Sequence, residues 1–121
     1  MLSNGYVRIA RMVLESLGYN VEEKARVEGL SGFEHDFDLL ARKGEKTICV
    51  SIRPVNPTKL FSEIVKAIDI KQEIIIAVEG EPPPKALEFT RESRIKIIAF
   101  KNPEELVKKL RQTIACITCK S

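Results

Sequence analysis

Two stretches of this 121-residue chain carry side chains whose types and spacing suit chemistry. In the first, Glu34-His35-Asp36-Phe37-Asp38, an extended strand sets Asp36 and Asp38 on one face, because neighbouring residues point to opposite sides. In the second, Cys49-Val50-Ser51-Ile52-Arg53, the same alternation sets Cys49, Ser51 and Arg53 on one face and leaves Val50 and Ile52 on the other. If the two polar faces coincide, an acid pair meets a serine and an arginine at the rim of a sheet. Paired carboxylates with water and phosphate suit Mg²⁺, a hard cation that takes oxygen ligands. Arginine suits the phosphate itself, which it grips through two parallel N–H bonds.

Further candidates lie outside this pair. Lys59 and Glu63 are four apart in a helical stretch and so share a face. Set beside Asp38 they would rebuild a site of two acids and a base; standing alone they make an ordinary exposed ion pair. The plain reading of Asp38 is similar, a strand-end acid paired with Arg53. His35, the only histidine, reads first as a hydrogen-bonding group at the turn. Cys116 and Cys119 form a lone CxxC in a tail helix, which with Cys49 and His35 distant falls short of the four ligands of structural zinc. A redox CxxC belongs at a helix start, where the thiolate is stabilised. Lys101, Lys108, Lys109, Arg111 and Lys120 outnumber Glu104 and Glu105, which accounts for the whole net charge of +3 and leaves the first hundred residues neutral. Such a basic tail suits solvent and its own helix dipole as well as nucleic acid.

The elements that must position these groups follow from periodicity. Tyr6, Ile9, Ala10, Val13, Leu14 and Leu17 predict an amphipathic helix over residues 4–17. Strands are expected over 19–27 and on either side of the turn at Lys43-Gly44, the third ending near Arg53 because Pro54 and Pro57 cannot sit in a central ladder. A second helix over 58–70 presents Leu60, Phe61, Ile64, Val65 and Ile68 as its buried side. The apolar run Ile74–Val78 predicts a strand covered on both faces, and therefore central. Ala86, Leu87 and Phe89 face the core from a short helix, Ile95 to Phe100 form a last strand, and Pro103 opens the final helix. This makes one α/β domain over 1–121, a core of 1–100 followed by the C-terminal helix. A hydrophobic fraction of 44% and a charged fraction of 31% fit a soluble domain. No apolar run approaches the roughly 20 residues of a membrane span, no signal peptide is evident, and three cysteines do not form a disulfide framework, so the expected location is cytoplasmic.

Gly32-Phe33-Glu34-His35-Asp36-Phe37-Asp38-Leu39-Leu40-Ala41, in the order helix, three strands, helix, strand, helix, strand, helix, resembles the PD-(D/E)xK nuclease superfamily. Within it the chain resembles Mrr-type restriction endonucleases and archaeal Holliday-junction resolvases, from the first helix to about Ala99. The resemblance implies a restriction-endonuclease-like three-layer fold, a mixed five-stranded sheet flanked by helices. It also implies DNA or branched nucleic acid as partner, and one or two Mg²⁺ held by a helix-one Glu, a strand-two Asp and a strand-three Glu-x-Lys. Asp38 matches the strand-two Asp. The strand-three pair falls on Ser51 and Arg53, and the start of helix one holds Ser3, Asn4 and Gly5, with Glu15 at its far end. Serine is a neutral substitute for a carboxylate, and arginine keeps its proton, so phosphate binding would survive while the base is lost. The expectation is a nucleic-acid-binding domain with absent or weak cleavage, contacting phosphates through Ser51, Arg53, Lys59, Arg91 and Arg94. Its enzymatic alternative is a Mg²⁺-dependent endonuclease rebuilt from Asp38, Glu63 and Lys59, with Asp36 a further metal ligand. The third is a structural or regulatory subunit, paired with itself or with an active nuclease through a sheet edge or the C-terminal helix.

Overall fold

The computed structural model describes residues 2–54, 57–89 and 94–119. Its elements run α1 (Leu2–Ser16), β1 (Asn20–Glu28), β2 (Glu34–Lys43), β3 (Lys46–Pro54), α2 (Pro57–Ile68), β4 (Glu73–Glu79), α3 (Pro84–Phe89), β5 (Ile95–Phe100) and α4 (Pro103–Cys119). The five strands form one mixed sheet in the order β1-β2-β3-β4-β5, antiparallel up to β3 and parallel beyond it. Gly44, at a φ of 60°, makes the tight reversal between β2 and β3. Ile74 to Val78 are all fully buried, as their unbroken apolar run predicts. The middle place nevertheless goes to β3, with β4 between β3 and β5.

Helices cover both faces. α1 and α4 bury Ala10, Val13, Leu14, Leu106, Leu110 and Ile114 against Leu39, Val50, Ile75, Ala77 and Phe100. Across the sheet, α2 and α3 bury Leu60, Ile64, Ala67 and Ala86 against Leu40, Cys49, Ile74, Ile76 and Val78. α4 starts at a reciprocal cap. Asn102 Oδ1 accepts from Glu105 N at 2.8 Å, and Glu105 Oε1 accepts from Lys101 N at 2.8 Å. Three expected core side chains differ. Leu87 is half-exposed, and Val65 and Ile68 stand in water on the outer side of α2; the Phe89 side chain, also expected in the core, is outside what the structure describes.

The first hairpin departs from regular alternation, and the site depends on that departure. Val21 packs on the α1 side but Ala25, four residues on, packs on the α2 side; likewise Leu39 packs toward α1 and Phe37 toward α2. Residues an even number apart should share a face, so both strands change phase between these positions. Lys24 lies at the change, at a φ of 53°, which an L side chain adopts only at a cost. The outer half of the hairpin, an arm of residues 25–37, is thereby turned over α2. Placing a β-branched side chain at this φ should be penalised where glycine is not. In urea unfolding, Lys24→Val is expected to lower stability by about 1–2 kcal/mol, with Lys24→Gly costing less than Lys24→Val.

Candidate functional site

The ladder between β2 and β3 runs from Lys43↔Lys46 to Leu39↔Val50 and stops there. One residue beyond, at the phase change, the side chain of Asp38 takes the place of the missing backbone partner. Asp38 Oδ2 accepts from Ile52 N at 2.7 Å and from Arg53 Nη1 at 2.8 Å. Regular alternation along β3 turns Cys49, Ser51 and Arg53 toward α2, as expected, and Arg53 there meets Glu63. Arg53 Nε donates to Glu63 Oε2 at 3.1 Å, and Nη1 also donates to Ile52 O at 2.8 Å. Lys66 Nζ lies 2.8 Å from Glu63 Oε1, an ion pair whose geometry leaves that oxygen without an aligned hydrogen bond.

The result is a quartet of two carboxylates and two cations in alternation: Asp38, Arg53, Glu63, Lys66. The side chains of Asp38 and Arg53 are 26% exposed and that of Glu63 only 10%, so the charges are partly removed from water and depend on each other. Ser51 is wholly buried beside them on the same strand face, and its hydroxyl has no partner among the described residues. On the fit of Mg²⁺ the geometry is plain. The guanidinium of Arg53 already bonds one oxygen of each carboxylate, so these residues as arranged do not hold a metal ion. Among the described residues no group of three or more His, Cys, Asp or Glu side chains makes a ligand set.

Several expected site residues are placed elsewhere. Asp36 does not join Asp38, because the phase change separates their faces; it is exposed and paired with Arg26 at 3.2 Å. The lysine paired with Glu63 at 2.8 Å is Lys66, and Lys59 stands exposed nearer the start of α2. Both lysines lie within one turn of Glu63, so helical spacing alone does not choose between them. Lys66 is on the side the arm covers, where its ammonium donates to Asp36 O and lies 4.5 Å from the centre of the Phe37 ring. Arg94 is a correction. Its Nη2 donates to the carbonyls of Ala67, Ile68 and Ile70, so it caps the end of α2 and is not free to meet a phosphate. Arg91 lies outside the described residues.

His35 serves the arm. Its Nε2 is 2.8 Å from Asp69 Oδ2, which also accepts from Ser31 Oγ at 2.7 Å, while Ser31 N donates to Oδ1 at 2.9 Å. Leu30 N donates to Asp69 O at 2.7 Å. A Cβ at Gly29 would come within 1.9 Å of Asp69 Oδ2, so only glycine admits this approach. The serine bonds the aspartate rather than the histidine, so these three residues are a clasp and not a nucleophilic triad. Burial pushes the Cys49 thiol up to about 12, which leaves it protonated and inert; Cys116 is exposed.

Comparison with protein-family models and with curated proteins gives no match. The chain is similar to a solved structure described as the protein of unknown function AF1548, with a TM-score of 0.63 and 15% identity over 88% of this chain. It spans 66% of the AF1548 chain. At that identity the likeness is one of fold alone.

Two outcomes test the clusters. Removing the cation by Arg53→Met leaves Asp38 and Glu63 facing each other and should lower stability near neutral pH by roughly 3 kcal/mol in urea unfolding, the lower end for a broken buried pair because Asp38 still reaches water. The Asp69 carboxyl is held below the ordinary aspartate value by the Ser31 hydroxyl first, then by His35 and the Ser31 N–H. A depressed carboxyl stabilises the fold above its unfolded pKa, and that contribution disappears as pH falls through the folded value. Acid unfolding of Asp69→Asn should therefore lose part of the wild-type fall in stability below about pH 4.

Proposed function

We propose that this chain is a nucleic-acid-binding domain of restriction-endonuclease-like fold with absent or weak cleavage. The observation that carries this reading is the position of Arg53, bonded at once to Asp38 and Glu63, where paired carboxylates would otherwise be open to a metal ion. Nε and Nη1 of the guanidinium are committed, but Nη2 has no partner among the described residues. Two N–H groups on a quarter-exposed arginine at the sheet rim suit a phosphate oxygen, and the bonds from both acids keep the fork oriented. The general base is missing for a related reason. Arginine does not give up its proton at position 53, and the ammonium of Lys66 is paired with Glu63. The likeness to AF1548 supports an α/β fold of this architecture and says nothing about a nuclease family or a ligand.

One observation favours a second reading, a Mg²⁺-dependent endonuclease of restriction or junction-resolvase type. The Ser51 hydroxyl is buried without a hydrogen-bond partner among the described residues, as an oxygen reserved for a ligand would be. On that reading Asp38 and Glu63 hold the ion once Arg53 turns aside, and Lys66 takes the part first given to Lys59.

Fluorescence anisotropy with duplex and four-way-junction DNA, together with incubation in Mg²⁺ or Mn²⁺, separates the two. Binding should weaken steadily with salt, Arg53→Ala should reduce affinity about tenfold through loss of a charged phosphate contact, and the DNA should stay intact. Cleavage abolished by Asp38→Ala and Glu63→Ala would establish the second reading. No affinity for any nucleic acid at low salt would defeat both and leave a structural or regulatory partner role.

A further inference from the structure

Helix α2 has two apolar sides. Leu60, Ile64 and Ala67 bury one of them. On the other, Val65 and Ile68 are three apart and hence neighbours, yet they are 67% and 58% exposed. The arm adds Leu30 and Phe33 at its tip, 72% and 73% exposed. These are not scattered side chains. The tip is bonded to Asp69, which follows Ile68 directly and stands four residues beyond Val65. Glycine at position 29 removes the last obstacle to that contact. Four large apolar side chains from two elements are thus drawn into one patch, each with more than half of its surface in water.

Its extent suits a macromolecular contact. A standard interface takes about 800 Å² from each partner, a little over half of it apolar, and four side chains exposed to this degree supply on the order of 400 Å². The surrounding charges select the partner. Arg26 on the arm lies beside Glu34 and Asp36, so the rim carries both signs. A polyanion would be repelled by those acids. A second copy of the same surface, turned about a two-fold axis, offers each sign its opposite and each apolar side chain a like neighbour.

We propose that two copies of the chain meet through this surface, the outer face of α2 and the tip of the arm of one against the same elements of the other. The contact is independent of the phosphate site, which lies on the inner side of α2.

Sedimentation equilibrium of the full chain at high micromolar concentration tests it. Wild type should be a dimer, and Val65→Asp and Ile68→Asp should each raise the dissociation constant about a hundredfold, with unchanged helical circular dichroism. Should either aspartate variant fail to fold, Phe33→Ser at the exposed tip leaves the helix untouched and should still weaken the dimer about tenfold. A monomeric wild type overturns the proposal. So does a dimer indifferent to all folded variants of this set.

Discussion

The bridge of Arg53 between Asp38 and Glu63 is the contact on which the local architecture turns. Two carboxylates brought together at a partly dry junction of sheet and helix repel each other unless a cation lies between them. Arginine meets that need with a charge it never loses and a planar fork that reaches both acids. The same side chain therefore ties the sheet to α2 and engages one oxygen of each acid. Lys66 extends the alternation by one more charge and ties it to the arm.

Much of this was legible in the sequence because it follows from local rules. Alternation along β3 correctly grouped Cys49, Ser51 and Arg53, the run Ile74–Val78 was a doubly covered strand, and Pro103 marked the start of α4. What escaped depends on contacts distant in the chain. Lys24 is an unremarkable strand residue in type, and nothing in its identity announces a left-handed backbone; yet that one conformation separates Asp36 from Asp38, which strict alternation had joined. Arg94 looked like a free basic group because its role, capping a helix that ended more than twenty residues earlier, exists only after β4 and β5 have docked. Helical spacing singled out Lys59, four residues before Glu63; Lys66, three residues after it, is as near along the helix, and it is the one the arm covers. Val65 and Ile68 show a different limit. Periodicity identifies an apolar position but not whether its neighbour belongs to the same molecule.

The phase change at Lys24 and Asp38 connects these features. A hairpin that kept its pairing would use the backbone of β2 to satisfy Ile52 N, and the Asp38 carboxylate would have no reason to turn inward. Because the strands part there, a side chain must take over that hydrogen bond, and the carboxylate that does so is placed within reach of Arg53. The same parting redirects the arm across α2, where the Asp69 clasp and the Lys66 contact offset the backbone cost of Lys24. The charged junction and the apolar patch on the outer side of α2 thus share a structural origin. One is created where the arm leaves the sheet, and the other where its tip comes to rest.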